Sequence, residues 1–223
     1  MTDIRLPGPS NRTVILGRTG TGKTVAGLWH LSLNKFRKFP WIMYDAKGDE
    51  LMTEISRIPG VEHVGFDFTP KHPGLYYIRA TPPAMKSDAM EAMLWRIHGR
   101  KKVGLFFDEG FTLDPRSDAL NTIYTQGRSL LIPTITLTQR PTWLSRFTFT
   151  QADFFQHFAL NNAADRKTVR EYMPVDNERE LAPYHSWWYD VGHNRVTEFK
   201  PVPAGDAILE NFEANIRRPK FAL

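Results

Sequence analysis

One run of eight residues determines how this 223-residue chain folds, and it is Gly17-Arg18-Thr19-Gly20-Thr21-Gly22-Lys23-Thr24, the pattern G-x-x-x-x-G-K-T. An apolar, β-branched run at 13–16 precedes it, and apolar residues at helical spacing follow from Val25 onward. This order predicts a strand, a loop and a helix. The glycines let the backbone curl, so that successive N–H groups and the helix N-terminus point at one phosphate group. The run therefore predicts a binding site for a nucleoside triphosphate.

A second motif supplies the acids that such a site needs. Val103 to Phe107 is a compact apolar run that predicts a buried strand, and it ends in Asp108 and Glu109, the arrangement called Walker B. We expect Lys23 to reach the β and γ phosphates and the Thr24 hydroxyl to ligate Mg²⁺. Asp108 would hold the same Mg²⁺ or its water shell, while Glu109 would poise a water for in-line attack on the γ phosphate. A base beside the γ phosphate favours water as the acceptor, which predicts a Mg²⁺-dependent ATP hydrolase.

Two further candidates lie around the strand predicted at Thr134 to Thr138. Gln139 follows this strand directly, where it is expected to touch the γ phosphate or the attacking water. Arg128 lies near the end of the preceding helix, a position suited to reaching the site of a neighbouring subunit as an arginine finger. Arg140 is the alternative finger. Because a finger acting between subunits requires a ring or a filament, the hypothesis is oligomeric as well as chemical.

Composition excludes several other classes of protein. Hydrophobic residues make up 41% and charged residues 24%, which suits one folded domain over 1–223. The absence of cysteine rules out disulfides, thiol catalysis and zinc ribbons, so any metal must be oxygen-bound. The longest apolar stretch, Leu130 to Leu137, contains Pro133 and is too short to span a bilayer. The net charge of +5 favours a polyanionic partner.

The last part of the chain predicts an appendage to the nucleotide-binding domain, over 184–217. His185 to Val191 and Arg195 to Lys200 flank a Gly-His-Asn turn, which predicts a β-hairpin. A final helix follows, with apolar residues on one stripe. Basic residues at 100–102 are expected at the end of the sheet opposite the phosphates, where they are candidates for lining a DNA channel, and another basic cluster lies at 217–220.

Four segments together resemble the FtsK/HerA superfamily of DNA-pumping ATPases. They are GRTGTGKT at 17–24, YDAKGDE at 44–50, LFFDE at 105–109 and GRSLLIPTITLTQRP at 127–141. Within the second, Asp45 to Gly48 resembles the superfamily's Asp-Pro-Lys-Gly element, with Ala46 in place of the more usual proline. The resemblance implies a three-layer α/β P-loop NTPase of the ASCE/RecA-like type, with a mainly parallel central sheet and a C-terminal hairpin and helix.

The size of the chain indicates which members of the superfamily it resembles most. A motor without additional domains is similar to the genome-packaging ATPases of double-stranded DNA viruses with an internal membrane, such as the tectiviruses. That resemblance implies ATP-driven, sequence-independent translocation of viral double-stranded DNA into a preformed procapsid by a hexameric ring. It also implies synthesis in the host cytoplasm, a place at the packaging vertex of the virion, and contact with vertex proteins or small membrane proteins there.

Three alternatives are weighed against this hypothesis. A conjugative or plasmid DNA pump of the same superfamily would share the chemistry. A non-hydrolysing vertex scaffold ordered by nucleotide would not need the set of Lys23, Asp108, Glu109 and Gln139. A GTPase switch would need an Asn-Lys-x-Asp base reader, whereas the only Asn-Lys here, at 34–35, continues Phe-Arg.

Overall fold

A computed structural model describes residues 4–216 of the chain. In this range the middle layer is one sheet of nine strands. The strands are β1 (Arg12–Leu16), β2 (Trp41–Asp45), β3 (Val61–His63), β4 (Leu75–Arg79), β5 (Gly104–Phe107), β6 (Thr134–Thr138), β7 (Phe154–His157), β8 (Ser186–Asp190) and β9 (Arg195–Phe199). The helices are α1 (Lys23–Ser32), α2 (Glu50–Ser56), α3 (Asp88–Arg100), α4 (Asp118–Leu130), α5 (Arg146–Thr150), α6 (Ala163–Arg170) and α7 (Gly205–Asn215).

The order of the strands places the loops of the predicted nucleotide site at one edge of the sheet. Across the sheet the order is β3-β4-β2-β5-β6-β1-β7-β8-β9, and every pairing from β3 to β7 is parallel. Strand β6 therefore separates β1, which leads into the phosphate loop, from β5, which leads into the acids. Because parallel strands share one carboxyl edge, the loops that follow these three strands meet there.

Helices cover both faces of the sheet, and the strand sequences show why. Successive residues of β2 alternate between two cores: Tyr44 packs with α3 and α4 on one face, and Met43 packs with α1, α2 and α7 on the other. All five residues of β2 are buried. Parallel strands covered on both faces are apolar almost throughout, which is the pattern that these strands have. The structure confirms the predicted three-layer α/β fold with a mainly parallel sheet.

The segment expected as an appendage over 184–217 continues the main body as far as the structure describes it. Strand β8 pairs antiparallel with β7, and β9 pairs antiparallel with β8, so the hairpin extends the central sheet. The apolar stripe of α7 is buried against α1 and α2, and Phe212 stacks on Phe36 with ring centroids 5.6 Å apart. The basic residues at 217–220 lie outside the described residues. Within 4–216, no helix is both long enough and apolar enough to cross a membrane.

Candidate nucleotide site

The loop between β1 and α1 has the backbone that a phosphate cradle requires. Gly20 and Gly22 have φ angles of 81° and 89°, in the left-handed region that favours glycine. Gly17 has no room for a side chain, because an added Cβ would lie 2.7 Å from Phe158 Cβ. Gly22 is the N-cap of α1, and the first N–H groups of a helix have no partner within the helix. The loop thus presents several free donors at the positive end of α1.

Lys23, the first residue of α1, lies beside the second acid of the Walker B pair. Its Nζ is 3.6 Å from Glu109 Oε1, and both side chains are almost completely buried. Lys47 Nζ approaches the same carboxylate oxygen to 3.9 Å. Two cations therefore share one carboxylate at the mouth of the phosphate loop, and Thr24 follows Lys23 on the same turn of α1.

Asp108, at the end of β5, is fully buried, and neither of its carboxylate oxygens has a hydrogen-bond partner among the described residues. Burial raises the pKa of this carboxyl to about 7; the positive charge of Lys23 works against the rise, and the charge of Glu109 adds to it. A buried carboxylate without partners is costly unless a ligand satisfies it. Carboxylate, hydroxyl and phosphate oxygens are the donors that Mg²⁺ prefers, so Asp108 and Thr24 fit that ion.

Glu109 is held in a strained conformation directly after Asp108. Its φ angle is 55°, which is uncommon for a residue other than glycine. A short 3₁₀ turn, Gly110–Thr112, fixes it, because the Thr112 N–H and hydroxyl both donate to the Glu109 carbonyl at 2.8 Å. Strain of this kind persists where the surrounding structure imposes it, often at active sites. The turn keeps the Glu109 carboxylate in the crevice beside Lys23.

Gln139 lies between the phosphate loop and the acids, since it follows β6. The Thr19 hydroxyl, in the phosphate loop, donates a hydrogen bond of 2.8 Å to Gln139 Oε1. This contact links the tip of β6 to the loop that would surround the phosphates. The structure therefore brings Lys23, Asp108, Glu109 and Gln139 to one place.

The two candidate finger arginines lie at opposite edges of the sheet. Helix α4 connects the carboxyl end of β5 to the amino end of β6. Arg128, near the end of α4, therefore lies at the edge of the sheet opposite its own phosphate loop. Its guanidinium is 3.8 Å from Asp153 Oδ1, and 64% of the side chain is exposed. Arg140 lies at the carboxyl edge, 3.7 Å from Asp165 Oδ2 and over the ring of Trp143.

Sequence reasoning missed the place of Lys47 in this site. Asp45, at the end of β2, is buried and accepts hydrogen bonds from the backbone N–H groups of Lys47 at 3.0 Å and Gly48 at 2.6 Å. Its other oxygen accepts from the Tyr77 hydroxyl at 2.7 Å. The resulting turn directs Lys47 toward Glu109. The available signal was that a lysine follows the strand that neighbours the Walker B strand, but the neighbourhood of β2 and β5 is not visible in the sequence.

No family model matches the chain, but a comparison with individual proteins gives a clear relative. Over 225 residues the chain is 41% identical to the DNA packaging ATPase P9 of Enterobacteria phage PRD1, covering 96% of this chain and 97% of that protein. The chain belongs to the family of this packaging ATPase. The resemblance to viral genome-packaging ATPases noted in the sequence is confirmed by this match.

Solved structures show the same fold at lower identity. The genome packaging NTPase B204 from Sulfolobus turreted icosahedral virus 2, in complex with AMPPCP, superposes with a TM-score of 0.71 at 20% identity, over 88% of this chain and 100% of that one. The pCW3 conjugation coupling protein TcpA with ATPγS matches with a TM-score of 0.52 at 14% identity, over 90% of this chain and 64% of that one.

Proposed function

We propose that this chain is a Mg²⁺-dependent ATP hydrolase that drives double-stranded DNA into a preformed viral procapsid. The observation that carries the proposal is the convergence of Lys23, Asp108, Glu109 and Gln139 around one phosphate loop. A 41% identical relative is named a DNA packaging ATPase, and the structural neighbour B204 was solved with ATPγS and with AMPPCP. Both support ATP as the nucleotide.

The chain's own groups would bind the triphosphate in two ways. The N–H groups at the start of α1 would donate hydrogen bonds to phosphate oxygens, and the Lys23 ammonium would add a positive charge next to them. Thr24 and Asp108 would hold Mg²⁺, which would neutralise negative charge on the phosphates. Asp108 must lose its proton to act as a ligand, and the raised pKa of this carboxyl makes that step depend on pH near neutrality.

Glu109 would act as the base. When a triphosphate binds, its oxygens would compete with Glu109 for the Lys23 ammonium. The Glu109 carboxylate would then be available to accept a proton from water. The water oxygen attacks the γ phosphorus while the bond from phosphorus to the oxygen bridging the β and γ positions breaks, giving ADP and phosphate. Gln139, already hydrogen-bonded to the loop through Thr19, would contact the γ phosphate or this water.

Assembly and DNA contact complete the proposal. We take the motor to be a hexameric ring at the packaging vertex of the virion, made in the host cytoplasm and contacting vertex or small membrane proteins. In such a ring Arg128, which is mostly exposed, would stabilise charge in the neighbouring subunit's site, with Arg140 as the alternative. The exposed basic residues at 100–102 support sequence-independent contact with DNA phosphates.

The test is to measure phosphate release by the purified full-length chain with and without double-stranded DNA, with Lys23→Ala as the control. We expect DNA-stimulated hydrolysis that the control lacks. Absence of hydrolysis in every assembly state would favour the nucleotide-ordered scaffold. The alternative of a conjugative or plasmid DNA pump needs a separate test, because the conjugation coupling protein TcpA has the same fold. Detection of the protein in mature virus particles would favour the packaging motor over such a pump.

A further inference from the structure

A strained tyrosine precedes β8, at a place where glycine is the ordinary residue. The His185 N–H donates to the Ala182 carbonyl at 3.0 Å, which closes a four-residue turn with Pro183 and Tyr184 at its centre. Tyr184 has a φ angle of 62°. Proline followed by a residue with positive φ is the pattern of a type II turn, whose third residue is normally glycine. A bulky residue in this conformation is a genuine outlier.

Packing does not account for the tyrosine. Tyr184 is among the most exposed of the large hydrophobic residues described, with 59% of the residue exposed. A glycine would adopt the same turn without strain and would lose little buried surface. Strained residues of this kind concentrate at ligand clamps and active sites, where the position of the side chain serves binding.

The ring lies against the phosphate loop. A Cβ built on Gly22, the N-cap of α1, would be 3.2 Å from Cδ1 of the Tyr184 ring, so the ring covers the start of the helix that would hold the phosphates. On the same flank, a cavity of about 430 Å³ is lined by Arg18 of the loop, by the end of β7 and by the segment that leads to the turn. That volume lies within the usual range for small-molecule sites.

We infer that the ring of Tyr184 stacks on the base of the bound nucleotide, with the nucleoside leaving the phosphate loop toward this flank. This inference rests on the proposed function, which supplies ATP as the ligand. It adds a contact with the base, which a nucleotide has and a chain of phosphates alone lacks. Because every base has a π face, stacking of this kind is indifferent to the identity of the base.

The experiment compares two ligands and two variants of the full-length protein. Tyr184→Gly removes the ring and suits the turn, so this variant should melt at the same or a higher temperature than the wild type. Tyr184→Phe keeps the ring and is the matched control. Calorimetric titration with ATP and with inorganic tripolyphosphate, each with Mg²⁺, gives the dissociation constants. We expect Tyr184→Gly to weaken ATP binding about 5- to 150-fold, the range known for stacking, and to leave tripolyphosphate binding unchanged. Tyr184→Phe should bind both ligands as the wild type does.

Two results would overturn the inference alone. One is unchanged ATP affinity in Tyr184→Gly beside a wild type that binds ATP. The other is an equal loss for ATP and tripolyphosphate, which would show that the ring supports the loop through Gly22 instead of contacting the base. A wild-type protein that binds neither ligand would refute the proposed function, and the inference with it, before any variant is compared.

Discussion

Lys23 Nζ and Glu109 Oε1 lie 3.6 Å apart, with both side chains buried at the mouth of the phosphate loop. The cation expected to bind phosphate and the acid expected to activate water are thus direct neighbours. Lys47 contributes a second positive charge to the same carboxylate, at 3.9 Å. Since an ion pair with Lys23 competes with the base function of Glu109, binding of a triphosphate would both fill the site and release the base.

Replacement of this base should separate binding from turnover. Glu109→Gln keeps the size of the side chain and removes its ability to accept a proton. We expect the dissociation constant for ATP to change little, and the rate of phosphate release at saturating ATP to fall at least ~100-fold, the lower end for general base catalysis. Glu54→Gln, at an exposed position of α2, is the matched control and should be fully active. Normal turnover in Glu109→Gln would remove Glu109 from the role of base.

The affinity for Mg²⁺ and ATP together should depend on pH through Asp108. Its carboxyl has a pKa raised to about 7 by burial, so below that pH it is protonated and must release a proton before it can take the metal. We expect the affinity to rise about tenfold per pH unit below pH 7 and to level off above it. Asp108→Asn should bind more weakly and without this slope. Titration calorimetry in buffers with different heats of ionisation counts the protons released on binding. A wild-type affinity that stays constant from pH 5.5 to 8 would contradict the role of Asp108 as a metal ligand with a raised pKa.

The same carboxyl should lower the stability of the protein at higher pH. Because its pKa is raised in the folded state, the folded protein holds this proton more tightly than the unfolded chain, so its contribution to the free energy of unfolding declines as the pH rises from about 4 to about 7. Asp108→Asn should therefore gain stability relative to the wild type between those pH values. Urea unfolding at pH 4.5 and pH 8 measures the difference, and an equal difference at both values would contradict the raised pKa.

Complementation between variants tests whether Arg128 acts on a neighbouring subunit. Arg128→Ala should fold normally, because the Arg128 side chain is mostly exposed, a pair of this kind contributes about 1 kcal/mol or less, and Asp153 keeps its ion pair with Arg12 at 3.4 Å. Its turnover should fall about 1000-fold, the lower end for loss of an arginine finger. Mixing it with Lys23→Ala subunits should restore part of the activity, since each supplies what the other lacks. Mixing Arg140→Ala with Lys23→Ala subunits in the same way tests Arg140 as the alternative finger.

Failure of every mixing ratio to restore phosphate release, in samples that still form rings, would remove the role in trans from Arg128. Restoration with Arg140→Ala but not with Arg128→Ala would assign the finger to Arg140 instead. Ring formation is followed by light scattering in the same samples, so that loss of assembly is not mistaken for loss of the catalytic group.

Truncation of one side chain measures how firmly the last helix is joined to the body. Phe212 on α7 is fully buried and stacks on Phe36. Phe212→Ala should lower the free energy of unfolding by about 3 to 5 kcal/mol through lost burial and the cavity left behind. Glu213→Ala, at the exposed neighbouring position, should change it by no more than about 0.5 kcal/mol. A single urea transition for both variants is expected, and a separate early transition for Phe212→Ala would show that α7 unfolds independently.

The local features of the site were predictable because their causes are local. The glycines of the phosphate loop set its backbone, and the strand predicted at Thr134 to Thr138 has those bounds in the structure. The order of strands was not predictable in the same way, because pairing depends on contacts between distant segments. That order puts β6 between the loop and the acids, and β2 beside β5, which explains why the position of Lys47 was missed. The strain at Tyr184 was also missed, since a Pro-Tyr pair gives no indication of its φ angle.

Strand β6 also connects the two ends of the proposed chemistry. At its amino end the Ile132 N–H donates to the Gly127 carbonyl at 2.8 Å, beside Arg128, and at its carboxyl end Gln139 contacts the phosphate loop. Five residues of strand span roughly 17 Å. If Arg128 serves the adjacent subunit, β6 is a continuous segment of backbone that joins the residue expected to contact the γ phosphate in one site to the arginine expected in the next.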